Sequence, residues 1–136
     1  MFTSKRAAVV VVLMLLMISA TAKIQKMKRI STGMWGGQHI SLKVGAKSAT
    51  IEYDCANGVI DGPLTVDANG HFNLRGTHRM ERGGPIRADA SAKGQPATYT
   101  GSIEGDKMTF TLKLADSEPE TFTLEKGKEG ELVKCK

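Results

Sequence analysis

The chain has 136 residues, 19 Lys and Arg against 14 Asp and Glu for a formal charge of +5, 15 Gly, 2 Cys and 5% aromatic residues. That length accommodates one ordinary domain. It excludes a dinucleotide-binding enzyme with a separate substrate domain, a TIM barrel and a multi-span membrane protein.

Lys5 and Arg6 precede the apolar run Ala7 to Ile18, and Ser19-Ala20-Thr21-Ala22 ends in Ala-x-Ala. A positive flank, an apolar stretch and a small-residue cleavage site form the pattern of a signal peptide, so residues 1–22 are set apart from the fold. The run is shorter than the ~20 residues of a helical span, which argues against an uncleaved anchor. Its removal takes Lys5 and Arg6 and no acid, so the formal charge falls from +5 to +3. The mature protein is expected in the periplasm or secreted, touching a membrane only through the signal peptide before cleavage. Residues 23–32, with Lys23, Lys26, Lys28 and Arg29, read as a flexible basic leader, and residues 33–136 as the folded domain. The body has no cluster of Lys and Arg interleaved with aromatics, so nucleic acid is not an expected partner.

From there the apolar residues fall on alternate positions, the period of a half-buried strand. A first strand opens at Gly33-Met34-Trp35 and carries Ile40, Leu42 and Val44 on one face. Trp35 has the opposite parity, and a bulge at Gly36-Gly37 would turn it inward. Ile51, Tyr53 and Cys55 alternate with Thr50, Glu52 and Asp54. Ile60, Leu64 and Val66 share parity across Gly62-Pro63. Phe72, Leu74, Gly76, His78, Met80 and Arg82 share the next face. Tyr99, Gly101 and Ile103 follow, then Met108, Phe110, Leu112 and Leu114, then Phe122 and Leu124. Glu131 to Cys135 reads as the last strand. Turn signals stand between the runs at Gly45, Ala56-Asn57-Gly58, Asp67 to Gly70, Glu104-Gly105-Asp106, Asp116 to Pro119 and Lys126 to Gly130. The count is eight strands joined mostly by short turns, which predicts an all-β, antiparallel up-and-down barrel; a two-sheet sandwich is the alternative. Trp35, Ile40, Leu42, Tyr53, Leu64, Phe72, Leu74, Tyr99, Phe110, Leu112, Phe122 and Leu124 form the expected inward set. Gly83 to Gln95 is the one long irregular segment.

Export permits a disulfide, and two cysteines allow one internal pairing, Cys55 with Cys135. A free thiol and an intermolecular bridge are the alternatives. The internal bridge ties the carboxyl end to an early strand.

Gly33-Met34-Trp35 resembles the Gly-x-Trp of lipocalins and related calycins, which implies a lipocalin-like barrel. A second resemblance covers most of residues 33–135. Gly33 to Ile40, Glu52-Tyr-Asp-Cys55, Gly70-His-Phe72, Glu81-Arg-Gly-Gly-Pro85, Tyr99-Thr-Gly101 and Lys134-Cys135 look like a group of small exported bacterial proteins of unknown function. It implies the barrel and the disulfide, and no activity. Tyr53-Asp-Cys55, then Asn57-Gly58 and a Cys near the end, resemble exported inhibitors of C-type lysozyme. Their Ser-rich contact loop is echoed only by Ala90 to Gly94, and their later Trp-containing run is absent.

His39, His71 and His78 lack metal-ligand spacing, and no metal or cofactor is expected. By parity His39 faces outward and His78 inward, where it stands near Arg82 as a polar spot for an anionic group or as a hydrogen-bonded core histidine. Glu81-Arg82-Gly83-Gly84-Pro85 is the most distinctive segment, and it either orients a partner or holds the turn. Glu52 and Asp54 form an outward pair without the desolvation that acid–base work needs. No nucleophile elbow and no phosphate-binding glycine loop occur, so no enzyme is expected. The reading is an exported monomeric binding module for a small apolar ligand, with Trp35, Tyr53, His78, Arg82 and Tyr99 as ligand-binding residues, or an envelope component. The alternative is an envelope protein-binding inhibitor acting through the 83–95 loop.

Overall fold

A computed structural model describes residues 26–81 and 94–135. The segment read as a signal peptide and residues 82–93, nearly all of the 83–95 loop, lie outside these residues. The strands are β1 (Lys28–Arg29), β2 (Gly33–Gly37), β3 (Ile40–Val44), β4 (Ala49–Tyr53), β5 (Ala56–Ile60), β6 (Thr65–Val66), β7 (His71–Met80), β8 (Gln95–Glu104), β9 (Lys107–Leu114) and β10 (Glu120–Lys126). Eight of them close into the expected antiparallel barrel in the order β10-β2-β3-β4-β5-β7-β8-β9. Nearly every neighbour in the sheet is a neighbour in sequence, and β10 returns to β2. Closure leaves the barrel itself without an unpaired edge.

The period-two pattern builds the core directly. Ile40, Leu42 and Val44 on β3, Ile51 on β4, Ile60 on β5, Tyr99 on β8 and Met108 and Phe110 on β9 are buried. Each residue of the expected inward set lies in this core or packs against it. Threonines and charges take the opposite parity, as in the exposed-buried alternation of β4 and β9.

The eight strands are not the eight that the pattern suggests. Gly33 to Val44 is a hairpin, β2 then β3, with Gly37 paired to Ile40 across Gln38 and His39. His39 has φ of 66°, a left-handed conformation that few residues other than glycine adopt. Two turn residues reverse the chain and place Trp35 opposite Leu42, both inward, with no bulge. Gly36 is buried because residues 128–130 cross it; a Cβ there would strike their backbone. Ala56 to Gly58 is strand, and Asp54-Cys55 makes the turn before it. Residues 60–66 split between the end of β5 and the short β6, which pairs outside the barrel with β1. Lys28 and Arg29, inside the basic leader, are thereby held, and Ile30 donates its amide to Leu64 O at 2.8 Å. Leu64, just before β6, and Val66, within it, are buried in the core cluster at this end of the barrel.

Glu131 to Cys135 adds no barrel strand. Glu131 forms a single parallel bridge with Gln38, and the chain then runs as a strap to the β4–β5 turn. There Cys135 is disulfide-bonded to Cys55, with Cα atoms 5.2 Å apart. Two departures cancel in the count: one expected strand becomes two, and the expected last strand becomes the strap.

Candidate binding site at the barrel mouth

The end opposite the β1–β6 ribbon is formed by the turns Gln38-His39, Asp54-Cys55 and Ala115–Pro119, and by the ends of β7 and β8. A cleft of about 390 Å³ opens there. Tyr53, Ala56, His78, Leu112, Leu114 and Phe122 line its wall. Met80, Glu118 and Glu120 stand at its rim, beside His39, Asp54 and Ser117. Met80 has the inward parity of His78 and is nevertheless 59% exposed. The strand has run past the core there, so an apolar side chain stands exposed beside the cleft.

Three rings meet in the wall. The Tyr53 centroid lies 5.3 Å from that of His78 and 5.5 Å from that of Phe122. Such tilted contacts at these separations are favourable for aromatic pairs. Tyr53 and His78 are buried; His78 Nδ1 has no hydrogen-bond partner among the described residues, and the Tyr53 hydroxyl has only the Tyr99 hydroxyl beside it, beyond a well-formed hydrogen bond. An orphan of this kind costs about 1–3 kcal/mol. Burial lowers the His78 pKa from its usual value of 6.5, and the Glu120 carboxylate opposes that shift, leaving a neutral imidazole at pH 7. Burial likewise raises the Tyr53 phenol far above its ordinary range, reinforced by the nearby Tyr99 hydroxyl and by Glu120. Below it, Tyr99 is fully buried and donates its hydroxyl proton to Thr77 O at 2.5 Å.

The rim is pinned from outside. Asp54 Oδ2 lies 2.6 Å from His39 Nδ1, and Asp54 Oδ1 accepts the Val133 amide at 2.8 Å. The Val133 amide, followed by the His39 ring, holds the Asp54 carboxyl below its usual pKa. Lys134 Nζ donates to Tyr53 O at 3.2 Å and sits 3.7 Å from Glu81 and 3.9 Å from Glu52. Glu81 also accepts from Asn57 at 3.1 Å, and its own amide bonds Cys55 O. The strap and Glu81 are thus parts of the rim's scaffold.

Of the residues read from sequence as ligand-binding, Tyr53 and His78 come together in the cleft wall. Trp35 and Tyr99 lie deeper in the packed core. Arg82, Gly83, Gly84 and Pro85 lie outside the described residues, and of the 83–95 loop only Gly94 and Gln95 are described, Gln95 already opening β8. Sequence reasoning passed over Glu120 and Glu118, and it placed Met80 on the face of His78 without giving it a part in a site. Glu120 shares the parity of Phe122 and Leu124, so an inward carboxylate at the head of a strand was the available signal. Among the described residues no group of three or more His, Cys, Asp or Glu is placed to hold a metal ion.

Fold and cleft together define a small closed antiparallel β-barrel that carries, among the described residues, a cleft at the end opposite the β1–β6 ribbon. No family model, curated protein or solved structure matches the chain.

Proposed function

We propose that this protein is an exported binding module whose barrel mouth takes a small ligand with an apolar body and a polar head. The observation that carries this reading is His78 Nδ1, unpartnered among the described residues, beside the weakly satisfied Tyr53 hydroxyl in a wall otherwise lined by Ala56, Leu112, Leu114 and Phe122. An apolar cleft with a few convergent polar groups is the usual form of a small-molecule site. Unsatisfied buried groups are costly to a fold, and a ligand head that bonds them recovers that cost. The disulfide supports residence outside the cytoplasm, in keeping with the signal-peptide pattern. Binding rather than catalysis is the proposed role.

The test is an amide chemical-shift titration of the ¹⁵N-labelled full chain with 1-octanol. Saturable shifts are expected at Tyr53, Ala56, His78, Leu114 and Phe122, and none at the β1–β6 ribbon. Shifts confined to that ribbon, or no saturable shift, would overturn the reading.

A further inference from the structure

The chemical class of the ligand head follows from what surrounds His78 Nδ1 and the Tyr53 hydroxyl. Taken alone, they do not discriminate. A neutral imidazole offers Nδ1 as a lone pair in one tautomer and as an N–H in the other, and a phenol both donates and accepts. Charge decides between heads. The cleft residues include three carboxylates, Asp54, Glu118 and Glu120, and no Lys or Arg among the described residues. Asp54 is paired with His39, whereas Glu118 and Glu120 have no ion-pair partner among the described residues. Lys134, on the strap outside, is committed to Tyr53 O and to Glu52 and Glu81. Glu120 is the closest of these carboxylates in effect, since its charge is felt at both Tyr53 and His78. It heads β10 on the parity of Phe122, two residues ahead of it.

From this arrangement we infer that the mouth binds an organic cation: an amine with an apolar body, its ammonium held by Glu120 and by the His78 lone pair and Tyr53 oxygen, against the faces of Tyr53 and Phe122. The inference rests on the reading of the mouth as a ligand site and adds the sign of the ligand. An ammonium supplies donors alone, which selects the His78 tautomer with Nδ1 unprotonated. Aromatic faces attract a cation through their quadrupole, so the ring cluster adds to the carboxylate rather than competing with it. A carboxylate head would meet Glu118 and Glu120 with no counter-charge among the described residues. The sequence reading of His78 beside Arg82, as a spot for an anionic group or as a hydrogen-bonded core histidine, turns on a residue outside the described ones.

The experiment uses three probes with one tail: octylammonium, 1-octanol and octanoate, each titrated into the full chain at low salt and pH 7 with amide shifts as readout. Octylammonium is expected to bind ~tenfold or more tightly than octanoate, with 1-octanol between them and the gap narrowing as salt screens the charges. Glu120→Gln, a surface change that leaves the core untouched, is expected to weaken octylammonium up to about fivefold, the range of an exposed ion pair, and to leave 1-octanol unchanged. If 1-octanol shifts the mouth amides and octylammonium binds no tighter than octanoate, the cation inference falls and the ligand site stands. If no probe shifts the mouth, both fall. If Glu120→Gln leaves the octylammonium preference intact, the role of Glu120 is overturned.

Discussion

His39 Nδ1 lies 2.6 Å from Asp54 Oδ2, so one side chain from the β2–β3 turn and one from the β4–β5 turn close on each other at the cleft end of the barrel. The other Asp54 oxygen takes the Val133 amide and draws the strap into the same joint. The joint depends on ionisation. The Asp54 carboxyl is held below its ordinary pKa, so it contributes stability above the unfolded value near ~4 and loses it as pH falls through the lowered folded value. Asp67, lowered first by the His71 amide and then by that of Asn69, acts in the same direction in the β6–β7 turn. The melting temperature is therefore expected to fall on acidification below about pH 5. Asp54→Asn is expected to melt below the wild type at pH 7 and to converge with it toward pH 2. A gap that stays constant across the range would remove the Asp54 charge from the account.

The bridge between Cys55 and Cys135 spans a sequence separation of 80 residues. In the chain-entropy account, closing a loop of that size stabilises by about 4–5 kcal/mol, and losses measured in small secreted domains run about 2–5 kcal/mol. Replacing both cysteines by serine is expected to cost an amount in that range in urea unfolding. The barrel itself should survive, because residues 131–135 contribute none of its eight strands. Far-ultraviolet circular dichroism should be unchanged, while the amides of Val133 and Cys135, both bonded to Asp54, should lose exchange protection.

Gly58 and Tyr99 make a second pair whose separation is fixed by packing. A Cβ on Gly58 would fall on the Tyr99 hydroxyl and press on Thr77 O, the two ends of the 2.5 Å hydrogen bond. Gly58→Ala is expected to destabilise by about 1–3 kcal/mol, the range for overpacking a filled core. Tyr99→Phe removes the hydroxyl and is expected to cost about 0.5–1.5 kcal/mol. In the double variant the closest obstruction, the hydroxyl, is gone and only the Thr77 O contact remains, so the two costs should fall short of additive by about 0.5 kcal/mol or more. Strict additivity in chemical denaturation would refute the steric account.

The barrel was legible because its physics is local: a strand with one buried face must alternate, and the alternation from Met108 to Leu114 admits no other reading. Turns were less legible where they lacked glycine. His39 carries the positive φ that reverses β2 into β3, while the adjacent Gly36-Gly37 drew attention as a bulge. Those glycines answer to other chain segments: residues 128–130 cross Gly36, and Thr123 O abuts Gly37. That long-range demand leaves no local trace. The strap was misread for a related reason. Leu132 and Val133 have a strand's composition, yet the β10–β2 pairing already closes the sheet and leaves no edge for a ninth member. In the mouth, parity found Tyr53, His78 and Phe122, but an inward Glu120 runs against the expectation that inward means apolar.

His78 is where stability and binding should pull apart. Its Nδ1 is buried without a partner, and burial keeps the ring neutral against the influence of Glu120 on β10, with Tyr53 of β4 packed beside it. A histidine whose folded pKa is lowered resists the proton that the unfolded chain accepts. It therefore subtracts stability as pH falls from the ordinary value of 6.5 through the lowered one. His78→Leu removes both the orphaned atom and this titration, and fills the same wall with an apolar side chain. The variant is expected to melt at or above the wild-type temperature at pH 7, and its advantage should widen between pH 7 and pH 5. A leucine cannot accept from an ammonium head, so octylammonium should bind it more weakly than the wild type. Gain in one property with loss in the other is the signature of a residue kept for its site rather than for the fold. A variant that loses stability at both pH values would instead assign His78 to the core alone.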